Sequence, residues 1–502
     1  MSIDEAPSHL GSDRADPLAA GFDQREPRTR NETVGLVLAT VASFAVATVL
    51  MRDREFWLDE SFSYLAAQLS IGDLASFALD RSGELNMALY YLALKPFAAV
   101  STEPLWLRLP SLIPTVATVV FVWLIADRVS GRRFVRVTAV LVFLAHPLVV
   151  DYAFEARAYG MLFAATSGLT LLLLLALDGS RAARWAYVVL LPLLVALHLL
   201  IVFVIIAHTA AIALANPGSW RQRAGRTLSL TSPGLVVAAV AGLTVFRHQG
   251  TLVNNEGLTP WSFGSAVYAV TGRAGPLTFL VLAAIAVAAV TIVGARDRRP
   301  LAMVLLVTSV VPPVLALAAS IQRPVFTPRY LSNLVPLLAC LVAIGIAAAF
   351  ADRRWRVAAV AVVVALGFVG QAFIYRDPSH ETPGAASAFI LERSQAGDII
   401  VFNSPFAQLP HQYLLDATGA SGPTQAGFIA DPRMPTSLIE VAPLEPLVAA
   451  LPAGASVWVV ENRPTPDGTA ELTADLAIDG GLERVSRTEF GAVAVERWTN
   501  PS

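Results

Sequence analysis

The sequence has 502 residues, of which 55% are hydrophobic and only 15% are charged, and its mean hydropathy is +0.60. Soluble domains carry about 25% charged residues, so this composition excludes an ordinary soluble protein, a disordered chain and a fibrous repeat. The net charge of −2 provides no basic field that would attract nucleic acid, and the single cysteine, Cys340, excludes an intrachain disulfide. We therefore expect a membrane protein that binds no nucleic acid.

Residues 1–33 are polar and lack the apolar core of a signal peptide, so they are predicted to form a disordered cytoplasmic tail. Long apolar runs follow, and a membrane helix needs about 20 apolar residues. The run 185–215 is long enough for two short spans, which gives about eleven spans in total. The predicted spans lie at 34–51, 109–127, 134–150, 159–177, 185–215 (two), 228–246, 276–294, 301–320, 330–350 and 357–374.

The arginines of the short connections predict the orientation, because positively charged loops stay in the cytoplasm. Fifteen arginines lie in five connections: 127–136, 178–185, 216–226, 295–300 and 351–356. All five face the cytoplasm if the short aromatic run 87–100 does not span and 185–215 spans twice. In the alternative, 87–100 spans, 185–215 is one helix, and six arginines lie outside.

The preferred topology places the N-terminus in the cytoplasm and several loops on the outer face of the plasma membrane. These outer loops are 52–108, 151–158, 247–275 and 321–329. Residues 376–502 also lie outside, after a transmembrane domain at 34–375, and they are rich in Pro, Gly, Asp and Glu. Strand-like runs at 398–402, 456–460 and 492–498 alternate with helical patterns at 384–396 and 411–417. The predicted fold is therefore mainly α, a polytopic membrane helix bundle with a small C-terminal α/β domain.

The first outer loop places two adjacent carboxylates, Asp59 and Glu60, directly after an apolar span and among aromatic residues. Ionisable groups at membrane depth are costly and are usually kept for function. One interpretation is a general base with a neighbour that contacts substrate. The other is a solvated helix N-terminus, where acidic residues favour the helix dipole.

In the second outer turn, Asp151, Glu155 and Tyr159 are spaced by four residues and are predicted to share a helical face. Arg157 points away from that face unless the helix breaks there. The alternative for this turn is a simple Glu155–Arg157 pair at the membrane surface.

The fourth outer turn places Arg323 and Arg329 beside two prolines that stiffen it. Rigid arginines suit bidentate binding of phosphate, although they also suit lipid headgroups in general. Of the other polar residues in apolar runs, Lys95 is expected to reach a lipid headgroup, and His198 is expected to mark the turn between two short helices.

Taken together, these segments resemble the multi-spanning GT-C glycosyltransferases, and within them the bacterial group related to protein O-mannosyltransferases and lipid A aminoarabinose transferases. The matching stretches, typical of mannosyltransferase-like members, are WLDES (57–61), ELNMALYYLAL (84–94), LWLRLPSLI (105–113), HPLVVDYAFEARAYG (146–160) and RPVFTPRYL (323–331). One departure is Asn86-Met-Ala-Leu89, where many relatives have His-Pro-Pro-Leu.

The resemblance implies a sugar donor on a polyprenyl phosphate and a glycan, glycolipid or protein acceptor. It implies that Asp59 is the base, with Glu60 as its neighbour and Glu155 as a further catalytic residue. It also implies a set of substrate contacts, namely Arg157, Tyr159, Arg329, Tyr330 and Asn86. The expected sugar is of mannose or arabinose type, and a single attacking step is expected to invert the anomeric carbon.

No cofactor is required by these residues, although a divalent metal between Glu60, Glu155 and the phosphate is a possible addition. Nucleotide-sugar enzymes need a soluble Rossmann-like domain, and the sequence has no fingerprint for one. Two other functions stay open: a transporter or lipid flippase, and a non-catalytic scaffold whose outer domain binds glycan. Convergence of Asp59, Glu155 and Arg329 in one cavity favours an enzyme, whereas a path through both faces favours transport.

Overall fold

The computed structural model describes residues 25–80, 87–215, 219–248, 259–295, 300–320, 326–376, 382–402, 405–426, 444–462 and 481–500. Helices dominate from residue 30 to residue 375. Their bounds are α1 Arg30–Met51, α2 Leu58–Gln68, α3 Ile71–Asp80, α4 Ala88–Ala98, α5 Pro104–Leu107, α6 Leu109–Val129, α7 Arg133–Ala145, α8 Pro147–Ala153, α9 Tyr159–Leu177, α10 Arg181–Val195, α11 Ile201–Ala215, α12 Trp220–His248, α13 Pro260–Val270, α14 Gly275–Gly294, α15 Pro300–Ala319, α16 Pro328–Leu331, α17 Val335–Ala349 and α18 Arg353–Tyr375.

Each predicted span coincides with a helix, though the helices differ in length. Within the described ranges, eight helices are long and apolar enough to cross a membrane, and the bent pair of α7 and α8 also meets this criterion when it is counted as one span. The run 185–215 contains two helices, α10 and α11, of 15 residues each, as the sequence predicts. The run 87–100 forms only the 11-residue α4.

The predicted span 134–150 is formed by two helices, α7 and α8, and the chain bends by 59° between them. Pro147 has no N–H to continue the helix, and it biases the preceding residue away from helical geometry. The His146 ring instead accepts a hydrogen bond from the Leu148 N–H at 3.2 Å and caps the new helix. After the bend, α8 continues only to Ala153 and is followed by the turn that contains Glu155.

Helix α17 lies at the centre of the bundle and packs against α6, α7 and α14. A Cβ atom at Gly345 would overlap the carbonyl group of Ala284, so only glycine permits the close approach of α14 and α17. Helix α9 packs along α6, and α11 packs along α15. This close packing holds the helices in position, and with them the turns at their ends that contain the charged residues.

The predicted lipid contact of Lys95 is wrong. Its Nζ donates hydrogen bonds to the carbonyl oxygens of Ala67, at 3.0 Å, and Leu69, at 2.5 Å. These carbonyls lie at the end of α2, where a helix leaves acceptors without intrahelical donors and where a positive charge favours the dipole. Lys95 therefore caps α2 from the neighbouring α4.

Beyond α18 the chain forms the small α/β domain that the sequence predicts. Its elements are α19 Pro383–Arg393, β1 Ile399–Phe402, α20 Pro405–Thr418, β2 Thr424–Ala426, α21 Leu444–Ala449, β3 Ser456–Asn462, β4 Glu483–Phe490 and β5 Val493–Thr499. The strand order is β2-β1-β3-β5-β4, with β1 parallel to β2 and β3, and β5 antiparallel to β3 and β4.

Alternate residues of the central strands face two separate apolar layers. Ile400 and Trp458 pack with α19 residues, whereas Val401 and Val457 pack on the other face. Asp398 joins the strands, since its carboxylate accepts from the Ser456 N–H and the Trp458 Nε1–H at 2.8 and 2.9 Å. The domain therefore has its own core, covered on both faces of the sheet.

Candidate active site

A cleft of about 140 Å³ opens at one end of the helix bundle. Five stretches of chain meet there: the start of α2, the α8–α9 turn, the α13–α14 turn, α16 and the end of α18. The lining residues are Arg54, Trp57, Asp151, Tyr152, Glu155, Tyr159, Arg273, Arg329 and Ile374. Residues more than 300 positions apart thus share one cavity whose lining is mostly charged or aromatic.

Asp59 lies beside this cleft in the first turn of α2, between two arginines. Its Oδ2 is 3.2 Å from Nη1 of Arg329 and 3.9 Å from Nη2 of Arg157. Arg157 also donates to the Asp59 carbonyl oxygen at 3.4 Å. The Asp59 side chain is 22% exposed and that of Arg329 is 46% exposed, so a ligand can reach this pair. The three residues that the sequence places in separate outer turns therefore converge.

Glu60 occupies a different environment from its neighbour. Its side chain is fully buried, and both carboxylate oxygens accept hydrogen bonds from Arg108 at 2.8 Å. The carboxylate also accepts from the Ala156 N–H at 2.7 Å. The expectation that Glu60 contacts substrate does not match this arrangement, since its oxygens are committed to the scaffold. Glu60 instead joins α2 to the turn that carries Glu155 and Arg157.

The predicted helical face shared by Asp151, Glu155 and Tyr159 is wrong, because α8 ends at Ala153 and α9 begins at Tyr159. Residues 154–158 form a turn between the two helices. The break allows Glu155 to line the cleft while Arg157 approaches Asp59. The alternative of a Glu155–Arg157 pair at the membrane surface also fails, because the Glu155 side chain is buried and only 4% of the residue is exposed.

Burial, together with the nearby carboxyl groups of Asp151 and Asp59, raises the pKa of Glu155 to about 8, against an opposing effect of Arg54. A carboxyl group with such a pKa is mostly protonated at neutral pH. Glu155 therefore presents a neutral hydrogen-bond donor to the cleft, beside two negatively charged carboxylates.

An ion-pair cluster that the sequence reasoning missed lines the same cleft. The Asp151 carboxylate lies 3.1 Å from Nη1 of Arg54 and 3.8 Å from Nη2 of Arg273. Arg273 has a φ angle of 54°, which is unusual for any residue other than glycine. Its carbonyl oxygen accepts from the Tyr268 hydroxyl at 2.6 Å. A strained backbone that directs an arginine into a cavity is typical of a functional position.

Tyr159 and Tyr330 form an aromatic wall with His198 between them. The centroid of the His198 ring lies 5.9 Å from the centroid of each tyrosine ring. The Cζ atom of Arg329 lies 6.0 Å from the centroid of the Tyr330 ring. His198 is in the turn between α10 and α11, as predicted, and it is buried. Its role in this wall has no signal in the sequence. Asn86 and Arg323, the other expected substrate contacts, lie outside the described residues.

The divalent metal site that the sequence suggests, between Glu60, Glu155 and a phosphate, does not fit the observed positions of the two glutamates. Among the residues that the structure describes, no group of three or more His, Cys, Asp or Glu side chains is arranged to hold a metal ion. Glu60 is bonded to Arg108 and Ala156, and Glu155 favours its protonated form. The cleft is better suited to an anion than to a cation.

No family model matches the sequence, and no curated protein matches it. Solved structures do match in fold. ArnT from Cupriavidus metallidurans bound to undecaprenyl phosphate aligns over 93% of this chain and 98% of its own, with 15% identity and a TM-score of 0.61. The apo form of ArnT gives 14% identity and a TM-score of 0.60 over the same shares of the two chains.

The archaeal oligosaccharyltransferase AglB from Archaeoglobus fulgidus, in complex with an inhibitory peptide and a dolichol-phosphate, aligns over 86% of this chain and 70% of its own, with 12% identity and a TM-score of 0.51. These likenesses confirm the predicted fold class, a polytopic helix bundle followed by a small C-terminal α/β domain.

Proposed function

We propose that this protein is a multi-pass membrane glycosyltransferase that moves a sugar from a polyprenyl-phosphate donor to an acceptor hydroxyl. The observation that carries the proposal is the position of Asp59 between Arg157 and Arg329, beside the charged cleft. A carboxylate that accepts a proton and cations that hold a leaving phosphate are the groups that glycosyl transfer needs. The fold adds support, because its neighbours ArnT and AglB were solved with polyprenyl-type phosphates.

The charge of the cleft suits a phosphate. Four guanidinium groups, those of Arg54, Arg157, Arg273 and Arg329, surround or adjoin it. Asp59 and Asp151 oppose them, while Glu155 is mostly neutral at pH 7. Among the described residues of the cleft, positive charges exceed negative charges by two, which matches a phosphate that gains negative charge as its bond to the sugar breaks. Glu155 can donate a further hydrogen bond to the same anion.

Donor binding provides a way to activate Asp59. Without a donor, Asp59 and Arg329 neutralise each other at 3.2 Å. A phosphate competes for the Arg329 guanidinium, because bidentate arginine–phosphate hydrogen bonds are strong. The Asp59 carboxylate then has an oxygen available for the acceptor hydroxyl.

In the proposed reaction, the acceptor oxygen attacks the anomeric carbon and its proton passes to Asp59. The bond between the anomeric carbon and the phosphate oxygen breaks, and the phosphate leaves with the electron pair. Arg157 and Arg329 hold this phosphate in place. A single displacement inverts the anomeric configuration, and no metal ion is required for the charge balance.

The orientation and the partners belong to the same proposal. The arginine-rich connections predict a cytoplasmic N-terminus and an outward-facing cleft in the plasma membrane. The acceptor would then be an extracytoplasmic glycan, glycolipid or protein, and the sugar a mannose- or arabinose-type residue. The buried side chains of Glu32, Asp127 and Arg136 fill the other end of the bundle, which supports an enzyme over a transport path.

The purified full-length chain in lipid nanodiscs tests the proposal directly. Radiolabelled polyprenyl-phosphate mannose and polyprenyl-phosphate arabinose are offered separately with an extract of cell-envelope acceptors. We expect one donor to be consumed, with label in the acceptor fraction and an inverted anomeric linkage by NMR. The proposal is wrong if neither donor transfers its label or if the linkage retains its configuration.

A further inference from the structure

The C-terminal domain contacts the same stretch of chain that carries Asp59. Helix α20 packs on α2, and its Tyr413 ring lies 4.3 Å from the Phe56 ring and 5.3 Å from the Tyr64 ring, measured between centroids. The Tyr413 hydroxyl donates to the Thr102 carbonyl oxygen at 2.7 Å. Tyr413, Phe56 and Tyr64 are all buried at this contact. The domain is therefore anchored to the membrane bundle by an aromatic cluster.

A second contact joins the same two regions. The Glu55 carboxylate accepts a hydrogen bond from the Gly384 N–H at 2.8 Å, and the Ala385 N–H bonds to it as well. These amides lie in the first turn of the 11-residue α19, where N–H groups have no intrahelical acceptor and an anion favours the dipole. A Cβ atom at position 384 would lie only 2.9 Å from the Glu55 Oε2. An alanine at this position would therefore displace the Glu55 carboxylate, the flexible end of that side chain, from the two amides.

From the opposite side, Arg108 holds the same stretch of chain. Its guanidinium donates to the carbonyl oxygens of Arg54 and Glu55 at 3.1 and 3.0 Å, and to the Glu60 carboxylate. It also lies over the Phe56 ring, 5.8 Å from the centroid. Residues 54–60 are therefore enclosed between Arg108 of the bundle and two helices of the C-terminal domain.

We propose that the C-terminal domain positions the catalytic turn, with Tyr413 and Gly384 holding residues 54–60 so that Asp59 and Arg54 face the cleft. This inference rests on the proposed function for its kinetic consequence. Asp59 acts through a precise position, and a displacement of about 1 Å at a reacting group can lower a rate a hundredfold. Tyr413 and Gly384 touch neither the donor nor the reacting atoms, so they are positioning residues.

Local hydrogen exchange tests the positioning without any turnover. The full-length chain in nanodiscs is compared with Tyr413→Ala, Tyr413→Phe, Gly384→Ala and a control, Thr418→Val. Thr418 is exposed on the same helix as Tyr413, and its hydroxyl bonds are local: it donates to the Leu414 carbonyl oxygen and accepts from the Ala420 N–H, at 2.7 and 3.3 Å. We expect amides of residues 54–64 to exchange at least about tenfold faster in Tyr413→Ala and Gly384→Ala. Residues 335–349, at the centre of the bundle, should not change.

Tyr413→Phe keeps the ring contacts and loses only the hydrogen bond to Thr102, so it should restore most of the protection. If Tyr413→Ala also loosens β3, the domain itself is damaged. Gly384→Ala, which lies on a different helix, must then loosen residues 54–64 on its own for the proposal to stand. Unchanged exchange of residues 54–64 in both Tyr413→Ala and Gly384→Ala overturns it.

Kinetics with the donor that the wild type consumes give the second readout. We expect kcat to fall between about tenfold and a hundredfold in Tyr413→Ala, while the KM for the donor stays within twofold. Thr418→Val should match the wild type. A donor KM that rises with unchanged kcat contradicts a positioning role for the domain. If the wild type transfers no sugar, the proposed function fails, and the exchange result still decides whether the domain holds the turn.

Discussion

Two charged clusters lie at opposite ends of the helix bundle and are built from the same residue types. The closed cluster consists of Arg28, Glu32, Asp127 and Arg136. Arg136 bonds to both oxygens of Glu32, at 2.8 and 3.0 Å, and to Asp127 at 2.9 Å. The side chains of Arg136 and Glu32 are fully buried. Each charge in this cluster is balanced at short range, and no ligand is needed.

The cleft cluster consists of Arg54, Asp59, Asp151, Glu155, Arg157, Arg273 and Arg329. Its ion pairs are longer, between 3.1 and 3.9 Å, and its side chains in those pairs are 10% to 46% exposed. Its guanidinium groups outnumber its ionised carboxylates. The residue types alone therefore do not distinguish a binding site from a structural cluster in this bundle. The two clusters differ in the exposure of their side chains and in the ratio of guanidinium groups to carboxylates.

The same helices join the two clusters. Glu32 lies in the first turn of α1 and Arg54 follows the end of that helix, and the 22 residues of α1 correspond to about 33 Å. Helix α6 likewise follows Arg108, its N-cap residue, and contains Asp127 in its last turn. The closed cluster thus fixes the position of helices whose other ends carry the cleft. Substitutions in the closed cluster should lower the stability of the protein, whereas substitutions in the cleft cluster should lower the rate of the reaction or the affinity for the donor.

The largest expected effect comes from Asp59→Asn. The amide keeps the shape of the side chain but accepts no proton at neutral pH, so the transfer rate should fall by about 10² to 10⁴. Initial rates and thermal unfolding of the purified variant measure this, and the melting temperature should change little. The control is Asp73→Asn on the exposed face of α3. A rate within threefold of the wild type would show that Asp59 is not the base.

In the closed cluster, Arg136→Met should reduce the free energy of unfolding by about 3–5 kcal/mol, because the fully buried Glu32 carboxylate loses its bidentate partner and Asp127 keeps Arg28 but loses Arg136. Donor turnover measured well below the melting temperature should stay close to that of the wild type. Thermal unfolding and initial rates of the same preparation separate the two effects. Equal losses of stability and of kcat would mean that this cluster also takes part in the reaction.

Arg273 offers a substitution that should separate stability from function. Arg273→Gly removes the cost of a left-handed backbone and should raise the free energy of unfolding by up to about 1 kcal/mol. It also removes one cleft guanidinium, so the donor KM should rise about tenfold. Arg273→Ala is the matched control: it loses the charge but keeps the strain, and it should show only the higher KM. If Arg273→Gly keeps the wild-type KM for the donor, the Arg273 guanidinium does not contribute to donor binding.

The smallest effect concerns pH. Glu155, with a pKa raised to about 8 by burial, loses its proton as the pH rises through that value and then repels the donor phosphate. Transfer at low donor concentration should fall several-fold between about pH 7 and 9. Glu155→Gln mimics the protonated form and should lack this decrease. Identical profiles of wild type and variant would show that Glu155 does not titrate in the reaction.

The bundle and the C-terminal domain are largely readable in the sequence, because apolar length and strand patterns are local signals. The split of 185–215 and strands β1, β3 and β5 are examples. Strand β4, residues Glu483–Phe490, was not predicted, since it is an exposed edge strand without a run of apolar residues. The sequence gives no clear signal of the bend at Pro147, because proline is tolerated in many membrane helices.

The site was only partly predictable, since it depends on contacts between distant segments. Asp59 and Arg329 are 270 residues apart, and their meeting requires the packing of several helices. Glu60 looks like Asp59 in sequence, and only the position of Arg108 distinguishes a buried structural carboxylate from an accessible one. Arg273 gives no signal at all, because its unusual φ angle and its contact with Asp151 exist only in the folded chain.

The central claim is that the cleft cluster, unlike the opposite end of the bundle, binds the phosphate of a polyprenyl carrier. The most direct measurement is the affinity of undecaprenyl phosphate for the nanodisc-embedded protein, comparing the wild type with Arg329→Gln and Arg128→Gln. Arg128 is a partly exposed arginine paired with Asp178 at the opposite end. We predict that Arg329→Gln weakens binding at least about tenfold and that Arg128→Gln has no effect. Equal affinity of the wild type and Arg329→Gln, or equal weakening by both substitutions, would contradict the claim.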